Sequence, residues 1–134
     1  GRVVAIDATG TGDVTKTHIA WRANRGASLT SSPILVGDEL YMVSDTGVAS
    51  CLDAKTGKVH WQRRIGGNYS ASPVFADGRI YFQSEEGVTT VLVPGTEYRI
   101  AAVNELDGAM LASMAVSGGS IFIRTDHFLY RIGR

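Results

Sequence analysis

The stretch CLDAKTGKVHW, residues 51–61, reads as strand, tight turn and strand, and it ends on a large aromatic side chain. Leu52 sits in a short β-prone run. Asp53, Ala54, Lys55, Thr56 and Gly57 supply turn chemistry, because Asp bonds its own backbone and Gly tolerates positive φ. Lys58 to Arg64 reads as a second strand, with Val59 and Trp61 two apart and therefore on one face. A single hairpin of this kind carries little information. This one belongs to a repeat, and the repeat decides the fold.

The period is about 40 residues: SSPILVGDELYMVSDTGVASCLDAKT (31–56) lies over ASPVFADGRIYFQSEEGVTTVLVPGT (71–96) without a gap. Eight positions are identical, among them Ser32/Ser72, Pro33/Pro73, Tyr41/Tyr81, Gly47/Gly87 and Leu52/Leu92. A third copy, 112–133, follows with one deletion, its Ser113 over Ser72 and its Ile121 over Ile80. A partial copy opens the chain, where GRVVAID (1–7) lies over GVASCLD (47–53). A repeat of this length built only from strand signals predicts propeller blades, each a four-stranded antiparallel sheet.

Within the best copy the four strands, A to D, are expected at about 31–36, 39–44, 48–53 and 58–64. Gly37-Asp38 and Asp77-Gly78 are two-residue A–B turns of the kind that closes a hairpin. Pro33 and Pro73 stand near the start of strand A, where a donor can be spared. The reading gives strands C–D in 1–25, full blades at 31–64 and 71–106, and strands A–C in 112–133. The fold class is therefore all-β, about three propeller blades in a partial or open ring, with 1–134 forming one partial propeller domain.

Composition agrees. Sixteen Gly and 44% hydrophobic residues suit many short strands joined by tight turns. No apolar run approaches the ~20 residues that span a bilayer as a helix, so no transmembrane segment is expected. No signal peptide is read in the chain. Thirteen basic against thirteen acidic residues argue against nucleic acid or an acidic surface as partner. Arg63-Arg64, the only adjacent basic pair, reads as a solvated strand end. Cys51, the single cysteine, excludes an internal disulfide and sits where the first copy has Ala5, which suits a buried structural thiol.

The pattern S-P, then G, Y, S and G, then L-D-A-x-T-G-K-x-x-W at 52–61 is similar to the pyrroloquinoline-quinone-type (quinoprotein-like) β-propeller repeat. That superfamily includes the quinoprotein alcohol dehydrogenases. It also includes non-enzymatic propellers such as the lipoprotein subunit of the bacterial outer-membrane protein assembly machine. The blade at 31–64 carries the signature well. The next keeps the first half, with Val93, Glu97 and Ala101 where Asp, Gly and Trp are expected. The resemblance implies that Trp61 packs against the next blade, and that Trp21 does the same one blade earlier. It also implies that Asp53, Thr56 and Gly57 shape the C–D turn. It implies a periplasmic or extracellular bacterial protein.

Other residues read as framework. The loop ATGTGDVTKTH (8–18) lengthens the first C–D hairpin; its Gly10-Thr11-Gly12-Asp13 lacks the strand–loop–helix setting of a phosphate-binding loop. Asp7 and Asp13 are too few for a calcium loop. His18, His60 and His127 have no metal-type neighbour at the usual spacing, so no catalytic, cofactor-binding or metal residue is assigned. Asp45, Glu85, Glu86 and Asp126 recur at the B–C turn, which points to turn chemistry and leaves a weakly acidic rim.

Three functions compete. One is a non-enzymatic scaffold that binds a protein partner or a second copy through open blade edges, with no cofactor. The others are a quinone-dependent dehydrogenase fragment and a carbohydrate- or small-ligand-binding module. The scaffold is favoured, because the chain has about half the strands of an ordinary ring and lacks a vicinal cysteine pair. Unpaired strands at both ends predict self-association or reliance on other parts of a longer chain.

Overall fold

The computed structural model describes residues 2–24 and 26–133. Gly1 and residue 25, the outer bounds expected for the first C–D segment, lie outside them, as does Arg134. Thirteen strands fall into four antiparallel sheets, and there is no helix among the described residues. The first sheet pairs β1 (Val3–Ile6) with β2 (Ile19–Ala23). The second runs in order through β3 (Ile34–Val36), β4 (Glu39–Val43), β5 (Val48–Asp53) and β6 (Val59–Arg64). The third runs through β7 (Val74–Ala76), β8 (Arg79–Gln83), β9 (Val88–Leu92) and β10 (Ile100–Glu105). The fourth holds β11 (Ala115–Ser117), β12 (Ser120–Arg124) and β13 (Leu129–Gly133). These are partial propeller blades in sequence order, and the set does not close into a ring.

The three A–B hairpins show how different sequences satisfy one geometry. Gly37 has φ 65 and begins a two-residue turn; Asp77-Gly78 and Gly118-Gly119 place both central residues at positive φ. Such turns match the right-handed twist of the flanking strands. Strand A is shorter than expected. It begins at residues 34 and 74, one place after each proline, because a ring nitrogen gives the ladder no donor.

Adjacent sheets are linked by hydrogen bonds that recur once per repeat. The Ser32 N–H donates to Ser72 Oγ at 2.9 Å, and the Ser72 N–H donates to Ser113 Oγ at 2.8 Å. At the B–C turns the acidic residues do more than close their own loop. Asp45 accepts from the Leu29 N–H at 3.0 Å and the Ser28 hydroxyl at 3.2 Å, both on the connector from the first sheet. Glu86 accepts from the Asn68 N–H and its side-chain amide, and Glu85 from the Ser70 hydroxyl. Asp126 accepts from the Ala109 N–H at 3.1 Å. Each blade thus grips the segment that delivers it.

Glycine makes the close approach at this end possible. Gly47 (φ 79) lies against the Gly66 carbonyl, and Gly87 (φ 91) against the Leu106 carbonyl; a Cβ at either would overlap backbone. The carbonyls of the same glycines accept from the next connector, Gly47 from the Ile65 N–H at 2.8 Å and Gly87 from the Leu106 N–H at 3.0 Å. Gly78 has φ 67 but open space around it. Gly78→Ala is therefore expected to cost about 1 kcal/mol for the left-handed backbone alone. Gly47→Ala should cost about 3 kcal/mol, with overlap added to strain. Urea denaturation of the two variants checks this, and equal losses would remove the role given to the close approach.

The grip also sets an acid dependence. The Leu29 N–H, with the Ser28 and Thr30 groups, holds the Asp45 carboxyl below its ordinary 3.8. Burial pushes Glu86 up, but the Asn68 bonds outweigh it and leave it below 4.5. A depressed carboxylate adds stability that is complete above the unfolded pKa and is lost as pH falls through the folded one. The melting temperature should therefore drop below about pH 4, the ordinary carboxylate range. Asp45→Asn should flatten that drop; an acid limb parallel to the parent chain would contradict the assignment.

Candidate functional site

The seams between sheets hold most of what the repeat signature encodes. In the seam between the second and third sheets, Tyr41, Val43, Ala49, Cys51 and Trp61 meet Ile80, Phe82 and Leu92 in one buried cluster. The period-two alternation of β4 and β5 produces it, since residues 41, 43, 49 and 51 share one face. Trp61 stands opposite Cys51 on β6 and is 6% exposed.

Trp61 reaches across to the loop between β9 and β10. Its indole N–H donates to the Gly95 carbonyl at 3.2 Å, and its ring meets Tyr98 edge to face with centroids 5.1 Å apart. Tyr41 brackets the same glycine: its hydroxyl donates to the Gly95 carbonyl at 3.3 Å and accepts from the Gly95 N–H at 2.6 Å. The Cys51 thiol points to that carbonyl at 3.7 Å. Gly95 has φ 146, a backbone region that side chains avoid. Burial pushes the Tyr41 hydroxyl well above its ordinary range, and burial raises the Cys51 thiol to about 11. Both therefore act as neutral donors, and the thiol is no nucleophile near neutral pH.

One seam earlier the arrangement is similar. Trp21, opposite Ala5, is half-buried, and its indole N–H donates to the Ala54 carbonyl at 2.9 Å. Its ring lies over Gly57, where a Cβ would come within 2.6 Å of Cδ2. Asp53 holds the turn beneath, accepting from the Thr56 hydroxyl and N–H at 2.7 Å each and from the Lys55 N–H at 3.0 Å. The Thr56 hydroxyl, then its N–H, keep the Asp53 carboxyl below its ordinary value. Trp21, Asp53, Thr56 and Gly57 thus come together at one seam, while Trp61 stands at the next.

Sequence reading missed Gly95, Tyr98 and the bracketing role of Tyr41. Gly95 and Tyr98 lie in a loop of seven residues, 93–99, that departs from the five-residue turn 54–58, so the ungapped alignment, which sets Gly95 over Lys55, carried no sign of their role. Ala101 was aligned with Trp61, but the longer loop before β10 adds one residue between paired positions, Leu92–Ile100 against Leu52–Val59, and so sets Ala102 opposite Val91, the place that Trp61 takes opposite Cys51. A register shift recurs in each C–D pair and keeps the pairs equivalent.

The remaining candidates stay apart. Asp7, just before the 8–18 loop, and Asp13 within it accept from the Thr9 and Thr15 N–H groups two residues on, and His18 bonds the Thr17 hydroxyl. His60 lies on β6, and His127 sits 3.4 Å from Asp126. No group of three or more His, Cys, Asp or Glu that could hold a metal ion occurs among the described residues. The B–C turn carboxylates are engaged, Asp45, Glu86 and Asp126 on backbone N–H groups and Glu85 on the Ser70 hydroxyl. The donor set therefore does not fit the calcium and planar quinone that the dehydrogenase branch of the resemblance implies.

A protein-family model described as outer membrane protein assembly factor BamB matches residues 1–111. A search of curated proteins finds no match. A europium-containing methanol dehydrogenase is 17% identical with a TM-score of 0.62, the match covering 80% of this chain and 22% of that one. The quinohemoprotein alcohol dehydrogenase ADHIIG from Pseudomonas putida HK5 is 14% identical with a TM-score of 0.60, covering 75% and 17%. BamB from Moraxella catarrhalis is 14% identical with a TM-score of 0.48, covering 98% and 52%. The chain spans 22% or less of the two dehydrogenases and 52% of that BamB. At these identities the dehydrogenase likeness speaks for the fold alone. The family match extends over most of the 134 residues, and the chain belongs to the PQQ-type β-propeller repeat family described as outer membrane protein assembly factor BamB.

Proposed function

We propose that the chain is a non-enzymatic protein-interaction scaffold, one partial propeller domain of a bacterial envelope-associated protein in the periplasm. The observation that carries this reading is the use of its polar groups. The B–C turn acids, the indole N–H groups, the Tyr41 hydroxyl and the buried thiol are all spent on holding sheet to sheet. Apolar side chains stand outward among the charged ones: Ile6, Val103, Phe128 and Leu129 are exposed, and the outer strands of each sheet have one unpaired side among the described residues. Sheet edges and exposed apolar side chains recruit strands from other chains or other copies. Family membership supports the same reading.

In this proposal Trp21 and Trp61 are docking residues. Trp61→Ala should destabilise the chain by about 3–5 kcal/mol, the range for truncating a buried aromatic. Trp21→Ala, at a half-buried site, should cost about 1–2 kcal/mol. Urea midpoints report both, and a midpoint unmoved by Trp61→Ala would remove the docking role.

The enzyme reading is tested by titrating the chain with pyrroloquinoline quinone, with and without calcium, and following absorbance. No saturable binding is expected. Calcium-dependent binding in the micromolar range would reinstate the dehydrogenase reading and end the scaffold one.

A further inference from the structure

The chain holds two Asp-Gly dipeptides, Asp77-Gly78 and Asp107-Gly108. In such a pair the glycine's backbone nitrogen, with no side chain to shield it, can attack the aspartate's carboxyl carbon. The new N–C bond closes a succinimide ring, and the amide hydrogen leaves with the carboxyl hydroxyl as one water. A water then opens the ring at either carbonyl. One opening restores the original peptide bond. The other leaves the chain running through the side-chain carboxyl, an isoaspartyl link with a free α-carboxylate. Nothing is oxidised or reduced, and the composition is unchanged. Ring closure needs the backbone to turn until nitrogen meets carboxyl, so its rate follows the freedom of the local chain to move.

The fold gives the two pairs opposite settings. Asp77-Gly78 is the whole turn between β7 and β8, and the ladder beneath it ends at Ala76 opposite Arg79. Both residues are exposed, and a Cβ added to Gly78 would meet no atom within 4 Å. Asp77, at φ 46, is the one non-glycine residue with positive φ among the described residues. Left-handed backbone is costly for a residue with a Cβ, which makes that conformation easier to leave.

Asp107-Gly108 lies instead on the connector into the fourth sheet, and it is tied on both sides. The Leu106 N–H donates to the Gly87 carbonyl at 3.0 Å, and the Met110 N–H to the Glu85 carbonyl at 3.0 Å. The Ala109 N–H donates to Asp126 Oδ1 at 3.1 Å, and a Cβ at Gly108 would come within 2.5 Å of the same oxygen. Met110, two residues on, is fully buried. This pair can turn only after the connector lifts off the B–C turns of both sheets.

We propose that Asp77-Gly78 is a site of spontaneous isoaspartyl modification, and that the fold shields Asp107-Gly108 from the same reaction. The product adds one methylene to the backbone of a two-residue turn, so the β7–β8 hairpin loses the match between turn and strand twist. It also presents an exposed α-carboxylate to the class of enzyme that methylates isoaspartyl groups with S-adenosylmethionine. Neither the reaction nor its site depends on the scaffold reading.

The test is to hold the whole chain at neutral pH and body temperature for several weeks and then digest it with trypsin. The two pairs fall in different peptides, residues 65–79 and 100–124. Chromatography with mass spectrometry should show a form of 65–79 with unchanged mass and shifted retention. An isoaspartyl methyltransferase should place a labelled methyl group on that form. It should accumulate at least about tenfold faster than the modified form of 100–124, the ratio that 1.4 kcal/mol of difference in local opening produces. Gly78→Ala, which still folds by the estimate above, should remove it. In guanidinium chloride the two peptides should be modified at similar rates. Equal rates in the folded chain, or a faster 100–124, would overturn the proposal. So would the same inequality in guanidinium chloride, since the difference would then lie in the neighbouring residues and not in the fold.

Discussion

The peptide group of Gly95 is the point on which the filled seam turns. Sheets in a propeller share no continuous ladder, so something other than strand pairing must fix their spacing. Here one carbonyl takes an indole N–H, a phenol hydroxyl and a thiol from the neighbouring sheet, while its N–H returns a bond to the same phenol. The Tyr41, Cys51 and Trp61 side chains are buried among apolar neighbours, while Gly95 itself is half-buried. In such surroundings a satisfied polar network fixes one arrangement, because any slip leaves a buried group without a partner. The apolar cluster supplies adhesion, and the glycine peptide supplies register. Tyr98, half-buried, packs against Trp61 edge to face beside this glycine.

The opposite end of each blade is organised by charge and backbone. Gly47 and Gly87 let the returning chain come close, and the acids beside them hold the connector through N–H groups. The two ends therefore divide the work. One sets the distance between sheets by packing, and the other guides the chain from one sheet into the next. Loss at either end acts on neighbours only, which is the logic of stacked repeats.

The strand plan was legible because it rests on local chemistry. Alternation, Asp-Gly and Gly-Asp turns and the 40-residue match were enough to place thirteen strands in groups of two, four, four and three. What escaped depends on relations between blades. The B–C acids looked like ordinary turn residues because their true partners, such as Leu29 and Asn68, belong to the preceding connector. Ala102 takes the tryptophan place in β10 instead of Ala101 because the longer loop before that strand adds one residue between the paired positions. Gly95 and Tyr98 sit where the repeat's own loop length changes, so no earlier copy could point to them.

The bond from one sheet's tryptophan to the next sheet's loop ties together residues some thirty positions apart: Trp21 with Ala54 and Gly57, Trp61 with Gly95. Such a tie is directional. A blade's outer strand answers to the loop ahead of it, and its own loop answers to the blade behind. Where the outer strand carries no tryptophan, as at Ala102, it asks no glycine or bare carbonyl of a loop ahead, and the ties behind it stand unchanged. The demands that such an array places on its sequence therefore run one way, from each outer strand to the loop that receives it.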